Sequence, residues 1–423
     1  VRSVVLRALA LAIALTGCRR ATVEERQAPA RATPPPTSTA PPTSAAAKSF
    51  YAQRFSRRPM PAEMTELGRQ LFFDVRLSAS GRMSCASCHD PRFAYGPPND
   101  RATQLGGPDM KSAGLRAAPS LRYLQGLPAF SEHYYDEAIE DSKDQGPTGG
   151  YMWDGRAASA HEQARLPLTS PFEMANPDVA SVVARFADSP LAARFRGVFG
   201  SDVFDDQTRA TTALLLCLEV FQQSPQDFYP YTSRYDDYLR GKETLSSAEQ
   251  RGLALFKDPK KGNCDSCHPS GIRHGAFPQF TDYGYAALGV PRNRTLPASA
   301  DPSFHDLGLC GPVRTDLAKH LEYCGQFRAP SLRNVSVRRV FFHNGVYRRL
   351  AQVIAFYAQR DTDPGRFYKG GAFDDLPAPF QKNVNREPPF GGKPGGKPAL
   401  SSAEIDDLTA FLRTLTDADL AKR

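Results

Sequence analysis

Apolar residues recur at helical spacing along much of this chain, while strand-like alternation is confined to a few short stretches. Two helix starts are written as capping boxes, Ser246-x-x-Glu249 and Ser401-x-x-Glu404, each ahead of an apolar periodic run. The stretches Asp178 to Phe199, Thr208 to Gln222 and Ala157 to Arg165 also read as helices. A repeat is laid over this pattern. Gly68-Arg69-Gln70-Leu71-Phe72-Phe73-Asp74 and Gly252-Leu253-Ala254-Leu255-Phe256-Lys257-Asp258 share Gly, Leu, Phe and Asp at the same offsets. The segments 96–150 and 275–335 are rich in Gly, Pro and Tyr and predict long ordered loops. The expectation is a mostly α chain with two related halves, 49–240 and 241–423.

Each repeated helix leads into the same pentapeptide type, Cys85-Ala86-Ser87-Cys88-His89 and Cys264-Asp265-Ser266-Cys267-His268. Two thiols at this spacing can form thioethers to the vinyl groups of a haem, and the adjoining histidine becomes an axial ligand to its iron. Chance, from the chain's own Cys and His content, would give roughly 0.003 such runs. Two of them predict two covalently bound haem c groups, held in two cytochrome c-like haem domains in tandem with long ordered loops. The N-terminal haem domain spans 49–240 and the C-terminal one 241–423.

Residues 1–48 read differently. Arg2 and Arg7 precede an apolar run from Ala8 to Leu15, followed by Leu15-Thr16-Gly17-Cys18. That is the layout of an export signal, 1–18, too short to remain as a membrane span. Its ending resembles a bacterial lipoprotein box, with Cys18 as the lipidated residue. Residues 19–48 are dominated by Pro, Thr, Ser and Ala, a composition suited to a flexible tether. The expected location is the periplasm or cell envelope, on an outer-membrane lipid anchor, with no other membrane contact.

Export settles most of the remaining cysteines. Of eight, four belong to haem motifs and Cys18 to the signal. Cys310 and Cys324 are expected to form a disulfide in an oxidising compartment, and Cys217 to be a buried, inert thiol on an apolar helix. The formal charge of +8 falls once Arg2 and Arg7 leave with the signal, and the propionates of two haems would remove most of the remainder. No basic stripe with interleaved aromatics argues for nucleic acid.

The second axial ligand decides between electron transfer and peroxide chemistry. Methionines stand at 60, 64, 83, 110, 152 and 174 and nowhere later, so the second half cannot use one. Its candidates are His274, His305, His320, His343, a lysine or a tyrosine such as Tyr357. In the first half a second histidine would have to be His133 or His161, and His161 reads as solvent-facing on its helix.

Further motifs carry a resemblance: Trp153-Asp154-Gly155-Arg156-Ala157, Glu162-Gln163-Ala164, Pro167, Glu173-Met174, Arg328-Ala329-Pro330-Ser331-Leu332-Arg333-Asn334-Val335 and Phe342-His343-x-Gly345. With both haem motifs in order, 60–415 resembles the bacterial dihaem cytochrome c peroxidase and MauG superfamily. Methionine-ligated peroxidases of this family place their ligand fourteen residues after the Phe-His-x-Gly histidine, where this chain has Tyr357. MauG-type proteins carry a tyrosine ligand there. The histidine those peroxidases hold between the first haem motif and Arg116-x-x-Pro119 is also missing. Both departures match the MauG branch. Cys310 and Cys324, Asp374-Asp375-Leu376-Pro377, Asn383-Val384-Asn385 and Pro388-Pro389 resemble its MbnH-like group.

The resemblance implies a role for each residue. His89 holds the iron that meets hydrogen peroxide, with Glu173 as distal carboxylate and Gln163 and Pro167 shaping the oxygen site. His268 and Tyr357 fill both axial positions of the second iron. Trp153 lies between the haems and relays oxidising equivalents. The implied enzyme is a peroxide-dependent dihaem oxidoreductase whose high-valent dihaem state oxidises residues of a partner protein by long-range electron transfer. In the MbnH-like group the target is a tryptophan. A peroxide-scavenging enzyme fed by small electron-donor proteins and a non-enzymatic dihaem carrier are the alternatives. Family calcium is bound partly by an asparagine where this chain has Ala117, which puts that ion in doubt.

Overall fold

Two helix pairs, built the same way, organise the computed structural model, which describes residues 49–136 and 141–421. The expected signal, Cys18 and the tether lie outside the described residues. Those residues contain eight helices of eight residues or more: α1 (Pro61–Phe72), α2 (Ala160–Thr169), α3 (Val179–Ala187), α4 (Ala192–Phe199), α5 (Gln207–Gln222), α6 (Ser247–Lys257), α7 (Leu350–Gln359) and α8 (Ser402–Arg413). None is long and apolar enough to cross a membrane.

In the first half α1 packs on α5, and in the second α6 packs on α8. The repeated glycines make both crossings possible. A Cβ on Gly68 would stand 2.0 Å from the Cys217 carbonyl oxygen, and one on Gly252 would stand 2.1 Å from that of Asp407. Only a residue without a side chain lets the backbones approach that closely. The capping boxes form at the expected places: Ser246 and Ser401 each accept from the N–H of Glu249 and Glu404.

Buried apolar side chains gather in separate clusters. Leu67, Leu71, Phe72, Phe186, Phe195, Phe221 and Phe228 pack in one. Tyr235, Phe256, Phe280, Leu408 and Phe411 pack in the other, and a third cluster around Phe356, Tyr368, Phe373 and Phe390 backs α7. Cys217 is fully buried in the first core.

Strands are few and short. β1 (Leu105–Gly106) pairs antiparallel with β2 (Ser112–Ala113), and β3 (Tyr285–Ala287) with β4 (Gln326–Arg328) in the register Tyr285 to Arg328. The chain is thus mostly helical, with long irregular segments between the helices.

Two details differ from the sequence pattern. The stretch Asp178 to Phe199 is two helices, because α3 stops at Ala187 and Pro190, lacking an N–H, stands before α4. His161 is not solvent-facing. It is 4% exposed, stacked on Phe50 at 3.7 Å, with Nδ1 2.7 Å from Glu219, because the segment before α1 folds back over α2. Amphipathic spacing within one helix gives no sign of that distant cover.

A buried hub ties the halves together. Asp417 accepts from Arg122 at 2.9 Å, Tyr123 at 2.6 Å and Asn334 at 2.7 Å. Arg122 also reaches Asp419, and Arg116 reaches across to Asp306 at 2.6 Å.

Candidate active site

Each haem motif folds as a short 3-10 turn, Cys85–Ser87 and Cys264–Ser266. The backbone N–H of His89 donates to the Cys85 carbonyl at 2.9 Å, and that of His268 to Cys264 at 2.8 Å. Both imidazoles are oriented identically. His89 Nδ1 lies 3.0 Å from the Tyr95 carbonyl oxygen and His268 Nδ1 lies 2.7 Å from that of Phe280. A carbonyl only accepts, so Nδ1 carries the proton and Nε2 keeps its lone pair for a metal. Burial pushes both histidines down to about 4, which keeps that lone pair free at neutral pH. Cys85, Cys88, Cys264 and Cys267 form no disulfide.

The second motif opens on a cavity of about 330 Å³ lined by Cys264, Cys267, His268, Tyr357, Trp153 and His343. Tyr357 projects from α7 and feels the charge of both Cys264 and Cys267, so its phenol faces the thiols. Burial raises its pKa, while Arg360 acts in the opposite direction. Phe390 stacks on its ring at 5.2 Å. Buried in the same wall, His343 stacks on Phe327 at 3.6 Å, and its Nε2 has no hydrogen-bond partner. The thiol pair, the oriented imidazole, the phenol and an orphaned buried nitrogen fit a haem.

In the first half the charge of Glu173 reaches both thiols, Cys85 and Cys88. Burial raises the Glu173 carboxyl above its ordinary range, against a hydrogen bond from Ser170 and the charge of Arg156. Gln163 is buried on α2, and Pro167 interrupts that helix one turn later. Lacking an N–H, Pro167 cannot donate to the Gln163 carbonyl.

The turns leading into α2 and α7 are copies of one another. Tyr151 bridges to Ala157, and Phe341 to Tyr347. Met152 and Phe342 both take positive φ, as do Gly155 and Gly345, and the helices begin at the equivalent Ala160 and Leu350. In this register Trp153 corresponds to His343, and Pro167 to Tyr357. A residue able to ligate iron in one half is replaced by one that cannot in the other. The correspondence was hidden in the sequence because Trp-Asp-Gly and His-Asn-Gly share only the glycine.

Trp153 is 8% exposed, and its indole N–H donates to the Ala117 carbonyl at 2.8 Å. The Ala117 N–H in turn donates to the His343 carbonyl at 2.7 Å, so a backbone unit joins the two equivalent residues. Beneath them Arg116 is clamped between Asp154 and Asp306, each at 2.6 Å, and Arg156 holds the other Asp154 oxygen at 2.7 Å. At position 117 there is no side-chain oxygen for a cation.

The other candidates lie elsewhere. His133 is exposed and paired with Asp144, and His320 is exposed beside Glu322. His305 Nδ1 lies 3.2 Å from the Asp375 carbonyl, and His274 is exposed in a turn. Cys310 and Cys324 are joined in a disulfide. Within the strap it closes, Arg314 donates to the Asp154 carbonyl at 2.8 Å.

The chain is similar in sequence and fold to known proteins. The family model described as di-haem cytochrome c peroxidase matches residues 62–244. The methylamine utilization protein MauG of Paracoccus denitrificans is 35% identical over 370 residues, 85% of this chain and 90% of its own length. Among solved structures, the diheme peroxidase BthA from Burkholderia thailandensis E264 is 40% identical with a TM-score of 0.77, covering 88% of this chain and 89% of its own. A MauG-like protein associated with microbial copper homeostasis is 27% identical with a TM-score of 0.62, covering 88% of this chain and 95% of its own. The chain belongs to the dihaem cytochrome c peroxidase and MauG family of peroxide-dependent oxidoreductases.

Proposed function

We propose that this enzyme uses hydrogen peroxide at an open N-terminal haem to oxidise residues, tryptophan foremost, of a partner protein. The observation that carries this is the exchange of Tyr357 for Pro167 at equivalent positions of the two half-sites. Cys85, Cys88 and His89 would hold one haem c, and Cys264, Cys267, His268 and Tyr357, which line one cavity, would hold the other. Haem, when bound, would supply the redox-active iron that reacts with peroxide.

The chain's own residues supply the rest. Glu173, its proton affinity raised by burial, takes the proton from one peroxide oxygen and returns it to the other, so that water leaves. The Gln163 amide orients the bound oxidant, and Pro167 keeps a competing ligand out. Tyr357 would help hold the second haem and close that site against peroxide, and a phenolate on its iron would favour the oxidised state. Trp153 passes oxidising equivalents between the sites, with its N–H fixed on Ala117.

The test is chemical. Candidate partners co-expressed with the enzyme are treated with peroxide and analysed by peptide mass spectrometry. Oxygen added at one tryptophan, dependent on the enzyme, is expected. Unmodified partners, with rapid oxidation of a reduced small cytochrome instead, would favour peroxide scavenging, the activity that BthA's description as a peroxidase supports.

We also place the protein in the periplasm, tethered through lipidated Cys18. Labelling with a fatty-acid analogue is expected to mark the wild type and not Cys18→Ser.

A further inference from the structure

Four arginines line the cavity beside the second haem motif: Arg122, Arg328, Arg333 and Arg338. Two are neutralised within the protein. Arg122 pairs with Asp417 and Asp419, and Arg333 with Asp236. The other two have no ion pair among the described residues. Arg328 is 7% exposed; its Nε donates to the Met152 carbonyl at 3.2 Å, while Nη1 is buried with no partner. Asp154, the carboxylate whose charge acts on it, is already held by Arg116 and Arg156. Arg338 donates once, to the Ala118 carbonyl at 3.0 Å, and its charge also reaches His89. Burial alone pushes Arg338 down to about 10. The orphaned Nε2 of His343 lines the same cavity.

A guanidinium is a planar fork that matches a carboxylate, and burying one without a counter-charge is unfavourable. The fold leaves two such forks and a free imidazole nitrogen on one cavity while satisfying their neighbours. We propose that Arg328 and Arg338, assisted by His343, form a carboxylate-binding wall that anchors the propionates of the haem carried on His268. This rests on the reading that the cavity holds a haem. Haem bears its vinyl groups and its propionates on different edges, so a group fixed at Cys264 and Cys267 still presents both carboxylates to other walls. The wall would keep them ionised inside the protein and fix the tilt of the ring.

The test uses haem-loaded protein and the variants Arg328→Met, Arg328→Lys, Arg338→Met and Arg338→Lys. Haem content is measured by pyridine haemochrome and reduction potentials by spectroelectrochemistry, with and without inorganic phosphate. Removing a cation beside a propionate leaves its negative charge uncompensated and stabilises ferric iron. The Met variants are therefore expected to keep two haems and to shift the potential of the His268 haem downward, with most of the shift recovered by Lys. Met variants that fail to load a haem that the Lys variants load support the same charge requirement. Fully loaded Met variants with wild-type potentials would overturn the proposal, as would Lys variants that fail to load like the Met ones. A wild-type potential that moves with added phosphate, in a manner lost in Arg328→Met, would assign the wall to a mobile anion instead. Fewer than two haems in the wild type would refute the haem reading itself and not the wall.

Discussion

At the residue scale the two half-sites differ by what faces their thiols, a carboxyl in one and a phenol in the other. Glu173 acts as a base in its ionised form, and burial has moved its titration upward. The rate of reaction with peroxide should therefore rise with pH through a carboxylate inflection lying above the ordinary glutamate value of about 4.3. Glu173→Gln should lose that inflection and slow the reaction roughly 10²–10⁴-fold, with both haems retained. Stopped-flow measurement across the pH range checks both; a flat wild-type profile would remove Glu173 from the chemistry. Motif spacing names His89 and His268 in the sequence, whereas Glu173 enters only through the family resemblance. Arg328 and Arg338 were not legible there, since whether an arginine has a partner depends on residues far away in the chain.

At the element scale, each half depends on one close helix crossing. Gly252→Ala puts a Cβ against the backbone of α8, where no rotamer can relieve it. The expected loss is about 1–3 kcal/mol, the usual cost of overpacking, read as a lowered Tm of the haem-loaded protein. An unchanged Tm would mean that the crossing can open. The disulfide closes a loop with a sequence separation of 14 and stiffens the strap that holds Asp154. Replacing Cys310 and Cys324 by Ser should cost about 3 kcal/mol by loop-closure entropy, measured by denaturant unfolding. Capping boxes made the starts of α6 and α8 readable in advance. The break before α4 followed a proline that apolar periodicity overran, and the cover on His161 came from a segment with no sequence relation to α2.

At the scale of the whole molecule, two halves that repeat a glycine-led helix and a haem motif are joined by buried charge. Asp417→Ala would leave Arg122 without its buried partner and strip Tyr123 and Asn334 of an acceptor. A loss of about 3–5 kcal/mol is expected, with the optical signatures of both haems affected together on heating. Loss confined to one haem would show that the halves unfold independently. The duplication was visible in the sequence through two haem motifs and two glycine-led helices. The asymmetry was visible only by family resemblance, until the matching turns before α2 and α7 set Pro167 opposite Tyr357. That exchange is the centre of the account, and electron paramagnetic resonance of the resting ferric protein tests it most directly. One high-spin and one low-spin haem are expected in the wild type, with the low-spin signal lost in Tyr357→Phe and the high-spin signal consumed by peroxide. Two low-spin haems that ignore peroxide, or a Tyr357→Phe spectrum identical to wild type, would contradict it.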